Sequence, residues 1–161
     1  MTVFADSSAL VKLYVPEDRH DTVRAITDMM VIASLARVEV PAAFWGKVRS
    51  GELAAEDANV LVSAFEYDYH GDGHEGPRFA VVTCDEPTLV DAARRAAQHR
   101  LRAYDALQLS CAVAARRADS SVRTMAVFDR TLRNAAIAEG FEVLGGDDSS
   151  GPRQSQPVVH F

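Results

Sequence analysis

Five short apolar runs, at residues 2–5, 31–33, 79–83, 123–128 and 141–144, alternate along the chain with longer segments whose apolar residues return at helical spacing. Strands separated by ten or more residues of helix are joined by crossovers rather than hairpins. They therefore run parallel, and the helices cover both faces of the sheet. The predicted architecture is an α/β chain folded as a three-layer α/β/α sandwich. The spacing predicts helices over 8–14, 18–28, 35–49, 54–69, 87–100, 103–117 and 131–139. Pro16 stops the first of these, Ser34 is read as the cap of the third, and Pro41 predicts a kink because it deletes a backbone donor. The 103–117 segment is apolar on most sides and has to be central.

A chain of 161 residues with 48% hydrophobic and 25% charged residues suits one domain with a single core. Residues 1–145 form that domain. Residues 146–161, rich in Gly, Ser, Asp, Gln and Pro, read as a flexible tail. No apolar stretch approaches the roughly 20 residues that span a bilayer, and the start lacks a basic region followed by a long apolar one. The expected location is the cytoplasm, with no membrane contact. Cys84 and Cys111, distant in sequence and not in a CxxC pair, read as buried thiols of a reducing compartment.

Four acids stand where an apolar run gives way to a helical pattern or just inside one: Asp6, Glu39, Asp105 and Asp129. In a parallel α/β sheet, ligands bind beyond the carboxyl ends of the strands, so acids placed there are delivered to the functional edge. Hard divalent cations such as Mg²⁺ take oxygen ligands, which two to four converging carboxylates supply. The competing reading is local: Asp6 and Asp129 as helix N-caps, and Asp105 as a complement to a helix dipole. Glu39 resists it, because an unpaired carboxylate inside Val38-Glu39-Val40-Pro41-Ala42-Ala43-Phe44-Trp45 would be costly. Ser8 is placed to fix a carboxylate rotamer. Asp85 before Glu86-Pro87 is read as a cap.

The net charge of −6 argues against a broad, sequence-independent grip on nucleic acid, but an acid cluster that holds cations reverses its local sign. Any nucleic-acid binding would then come from local cations near the site, for which Lys12, Arg37, Arg102, Arg130 and Arg133 are the candidates. The segment His70-Gly71-Asp72-Gly73-His74-Glu75 reads as a surface loop rather than a transition-metal site, and Phe44, Trp45, Val48, Leu61 and Phe65 as core or protein interface. No glycine-rich phosphate loop, GxSxG turn or Ser-His-Asp set is present.

Four stretches then resemble one family: Phe4-Ala5-Asp6-Ser7-Ser8-Ala9-Leu10-Val11-Lys12-Leu13-Tyr14, Ala36-Arg37-Val38-Glu39-Val40-Pro41-Ala42-Ala43, Leu101-Arg102-Ala103-Tyr104-Asp105-Ala106-Leu107-Gln108-Leu109 and Val127-Phe128-Asp129-Arg130-Thr131-Leu132. They are similar to PIN-domain ribonucleases, and more narrowly to VapC toxins of bacterial toxin-antitoxin modules. The resemblance implies a PIN-like fold with a five-stranded parallel sheet and a Mg²⁺- or Mn²⁺-dependent endoribonuclease that hydrolyses RNA through metal-activated water. It further implies a small VapB-like antitoxin partner and a homodimer. Asp6, Glu39, Asp105 and Asp129 would then be both catalytic and metal-binding. Two rivals are a non-catalytic PIN-like binding module and a phosphoryl-transfer enzyme of the haloacid-dehalogenase or receiver type. The latter needs a second acid beside the first strand and a later lysine. This chain has Asp6-Ser7-Ser8 and no lysine after Lys47.

Overall fold

Side chains of a strand point alternately to its two faces, so a strand that is apolar throughout needs cover on both. The computed structural model, which describes residues 2–27 and 29–145, provides that cover. In chain order the elements are β1 (Thr2–Ala5), α1 (Ser7–Tyr14), α2 (His20–Arg24), β2 (Met30–Ala33), α3 (Ala36–Arg49) and α4 (Ala55–His70). They continue with β3 (Phe79–Val82), α5 (Glu86–His99), α6 (Ala103–Ala118), β4 (Val122–Ala126), α7 (Arg130–Ala138) and β5 (Glu142–Leu144). The strands form one five-stranded sheet in the order β3-β2-β1-β4-β5, and every pairing is parallel.

The alternation sorts the core into two layers. Phe4, Val31, Ala33 and Met125 face Leu109 and Ala112 of α6 and Leu132 of α7. Their neighbours Val3, Ala5, Met30 and Ile32 face Leu10 of α1, Val40 and Phe44 of α3 and Phe65 of α4. Eight residues of α6 are buried, which is why that segment is apolar on most sides. The buried Arg95 of α5 is paired with Glu139 at the end of α7, tying two helices of one layer together. No helix among the described residues is long and apolar enough to cross a membrane.

The structure departs from the sequence reading in several places. The helix expected over 18–28 contracts to α2, His20–Arg24. The amides of Ala25 and Ile26 close turns on Asp21 and Val23, and the chain swings into β2 at Met30. Val23 is thus buried in α2, Ile26 lies in the turn that follows it, and Met29 is exposed. Ser34 does not cap α3, whose N-cap is Leu35 with no side-chain bond. Its hydroxyl accepts from the Cys84 amide at 3.1 Å and its own amide donates to Val82 at 2.8 Å, stitching the end of β2 to the end of β3. As expected from the sequence, α3 continues through Pro41 to Arg49. β4 ends at Ala126, and the Phe128 amide turns to Ser8 Oγ at 3.2 Å. Cys84 is half-buried rather than buried. The tail expected over 146–161 lies outside the described residues.

Candidate metal centre

β1 and β4 are neighbours whose carboxyl ends align, Ala5 opposite Ala126, yet one chain direction leads to β2 and β3 and the other to β5. That reversal makes the space between them the switch point where open α/β sheets bind ligands. Asp6 ends β1 there and caps α1, its Oδ1 accepting from the Ala9 amide at 3.0 Å. Ser8 Oγ donates to Asp6 Oδ1 at 2.8 Å and accepts from Phe128, so the same hydroxyl ties both strand ends. Asp6 is only 4% exposed. Burial raises its carboxyl from 3.8 to about 7, against the hydrogen bonds from Ser8 and Ala9, and the charge of Glu39 adds to the rise.

The other three acids approach from helices that start at the same edge. Asp129 caps α7, its Oδ1 accepting from the Leu132 amide at 2.8 Å. Asp105 lies half-buried in the first turn of α6. Its carboxyl is raised by burial first and then by Asp129 and Glu39, with Arg102 opposing. Glu39, in the first turn of α3, receives two donors on Oε2: Ser7 Oγ at 2.6 Å and Gln108 Nε2 at 2.6 Å. Gln108 Nε2 also reaches Ser7 Oγ at 2.9 Å.

Charge therefore links the four in a chain, Asp6 to Glu39, Glu39 to Asp105 and Asp105 to Asp129. They are not closed into a coordination sphere. Among the described residues no group of three or more His, Cys, Asp or Glu side chains stands close enough to hold an ion. Like charges in low dielectric repel and settle on local donors, here the two N-cap amides and the Ser7–Gln108 pair. The N-cap reading of Asp6 and Asp129 is thus geometrically satisfied as well. The donor set suits a hard cation, since it is made of carboxylate oxygens, and Gln108, whose amide bonds Glu39, carries a buried Oε1 with no hydrogen-bond partner among the described residues.

Sequence reasoning missed Ser7 and Gln108. Gln108 had a signal: a lone amide inside Ala106-Leu107-Gln108-Leu109, one turn beyond Asp105, must find a partner if buried. Of the candidate RNA contacts, three are occupied. Lys12 pairs with Glu17 at 3.0 Å and lies over the Phe128 ring, Arg37 pairs with Glu66 at 3.0 Å, and Arg133 donates to the Gly145 carbonyl at 3.4 Å. Arg102 and Arg130 are exposed and make no side-chain hydrogen bond or ion pair among the described residues. Asp85 caps α5 through the Thr88 amide at 3.0 Å. In the glycine-rich segment, Asp72 turns the chain by accepting from the His74 and Glu75 amides. Phe44 and Phe65 are core, whereas Trp45 is 36% exposed.

No protein-family model matches the sequence, and no curated protein matches it. The fold does have solved counterparts. FitAcB from Neisseria gonorrhoeae superposes with a TM-score of 0.58 at 19% identity, over 88% of this chain and 95% of that one. PAE2754 from Pyrobaculum aerophilum gives 0.56 at 21% identity, over 89% and 92%. The chain has a PIN-domain fold. In this fold the acids sit on the elements that flank the switch point: Asp6 after β1, Glu39 after β2, Asp129 after β4 and Asp105 at the start of the central α6.

Proposed function

We propose that this PIN domain is a divalent-cation-dependent endoribonuclease and acts as the toxin of a toxin–antitoxin pair. The observation that carries the reading is the electrostatic coupling of the four acids at the switch point. The most buried of them, Asp6, has its carboxyl raised by burial to about 7, against the hydrogen bonds from Ser8 and Ala9. Asp6, Glu39, Asp105 and Asp129 are the residues that would hold Mg²⁺ or Mn²⁺. Bound there, the ion supplies Lewis acidity toward a phosphodiester oxygen and a water acidic enough to attack at neutral pH.

The chain's own residues orient that site. Ser8 fixes the Asp6 carboxylate. Ser7 and Gln108 both bond Glu39 Oε2, and among the described residues none donates to Oε1; Asp129 likewise commits Oδ1 to its cap. Arg102 and Arg130, adjacent to Asp105 and Asp129, are the cations with donors to offer an RNA phosphate. Beside them a cleft of about 510 Å³, lined by His99, Arg130, Thr131, Asn134 and Ala135, has room for part of a flanking nucleotide.

The open spacing of the acids favours one rival, a non-catalytic PIN module. A receiver-type phosphoryl-transfer protein fits less well, because its strand order is 2-1-3-4-5 rather than 3-2-1-4-5. The full-length chain with RNA decides between nuclease and module. Cleavage that needs Mg²⁺ or Mn²⁺, stops with EDTA and leaves 3′-hydroxyl and 5′-phosphate ends supports the nuclease. Intact RNA under all these conditions leaves the module. For the toxin assignment, co-expression with a small VapB-like antitoxin should suppress growth arrest and yield a complex. A homodimer is the expected state of the toxin in it, and unchanged arrest with no complex would remove the assignment.

Gln108 offers a separate check on the Glu39 bracket. Gln108→Leu removes one of the two donors on Glu39 together with the unbonded Oε1, so its effect on stability is expected within about 1–2 kcal/mol. Cleavage is expected to fall ~10–100-fold, the usual cost of losing a group that orients a ligand. A cation titration of activity should show a matching rise in the half-saturating concentration.

A further inference from the structure

Cys84 and Cys111 are separated by 26 intervening residues, yet their Sγ atoms lie 3.5 Å apart. Cys84 follows β3 and Cys111 sits in the middle of α6, so the pair joins the edge side of the sheet to its central helix. Both cysteines are free thiols, Cys84 half-buried and Cys111 buried. We propose that Cys84 and Cys111 form a site for reversible intramolecular disulfide formation, driven by a low-molecular-weight disulfide such as glutathione disulfide.

The geometry needs a small movement only. A disulfide requires about 2.05 Å between sulfurs, so the two must close by roughly 1.5 Å. Partial exposure makes Cys84 the entry point. Its thiolate attacks one sulfur of the oxidant and releases one glutathione thiolate, which takes a proton. The Cys111 thiolate then attacks Cys84 Sγ and releases the second. In total, the two protein thiols lose two electrons and two protons, and the oxidant is reduced to two thiols. Burial, then Cys84, raises the Cys111 thiol well above its ordinary range, which slows the second attack and makes its rate climb with pH. The slow step keeps the mixed disulfide on Cys84 observable.

The linkage reaches the acid cluster through two contacts. The Cys84 amide is bonded to Ser34, just ahead of the helix that carries Glu39. Cys111 lies one turn beyond Gln108, which donates to that same Glu39. Oxidation thus staples the segment after β3, which holds Ser34 ahead of α3, to the helix that carries Gln108. Closing a loop of this length constrains the unfolded chain, so the oxidised protein should melt several degrees higher.

The test is intact-mass analysis and thiol counting on the unfolded full-length protein after exposure to glutathione disulfide. The expected product is monomeric, lacks both thiols and is two hydrogen masses lighter, and dithiothreitol restores it. Cys111→Ala should stop at a glutathione adduct on Cys84, and Cys84→Ser should remain unmodified with its melting temperature unchanged by the oxidant. Retention of both thiols in wild type, a stable adduct that never resolves, or a disulfide-linked dimer would each overturn the proposal. None of these readouts depends on RNA cleavage, so the proposal and the nuclease reading stand or fall separately.

Discussion

Asp105→Asn is expected to lower RNA cleavage by at least ~10²-fold, the scale on which loss of one preorganised electrostatic group is felt. The substitution keeps shape and removes a charge that is coupled to those of Asp129 and Glu39. Asp105 is half-buried and its side chain makes no hydrogen bond among the described residues, so folding should be preserved or slightly improved. A second measurement separates a cation site from a merely acidic patch. In wild type a saturating divalent cation adds about 2.7 kcal/mol at one hundred times its Kd, which for a chain of this size is roughly 5–10 °C in melting temperature. Asp105→Asn should lose most of that shift. An Asn variant that cleaves at the wild-type rate would sink the assignment of Asp105, and equal cation shifts in both proteins would sink the shared site.

Why these acids were legible in the sequence follows from how strands end. Asp6 stands directly after an apolar strand and Asp129 three residues after one, each opening a helix, so each is both a cap and a resident of the carboxyl edge. Asp105 and Glu39 were legible as acids in the first turns of helices whose middles are mostly apolar. The parallel sheet followed from alternation alone, since each helical segment forces a crossover. What stayed hidden was tertiary. Ser34 looks like a cap by type, but β3 offered its hydroxyl the Cys84 amide instead. Val23, Ile26 and Met29 hold helical spacing in a segment that turns before it completes the helix. The spacing of the four carboxylates, and the contact of Cys84 with Cys111, depend on how layers pack, to which local pattern is blind.

The largest effect on stability should come from Asp6. Its folded carboxyl titrates near 7 and its unfolded one near 3.8, so between these values the folded state binds the extra proton. Stability from this group is therefore greatest below about pH 4, falls as pH rises through 7 and is flat above it. Three pH units at 1.36 kcal/mol each set an upper scale of about 4 kcal/mol for the cost of the buried charge. Asp6→Asn removes that charge while its carbonyl oxygen can still accept from the Ala9 amide and its NH₂ can donate to Ser8 Oγ. At pH 8 the variant is expected to be more stable than wild type by roughly 2–4 kcal/mol, with the gap closing toward pH 4. Asp85, Asp91 and Asp119, whose carboxyls are held below the usual range by hydrogen bonds, lose their contributions in acid, equally in both proteins, and cancel from the difference. A cation bound at Asp6 would shrink the gap at pH 8 from the other side, by stabilising wild type alone. Urea unfolding at pH 4, 6 and 8, with and without Mn²⁺, measures all of this. A gap independent of pH, or an Asn variant less stable at pH 8, would show that the Asp6 carboxylate is already neutralised within the fold and has no unmet demand for a cation.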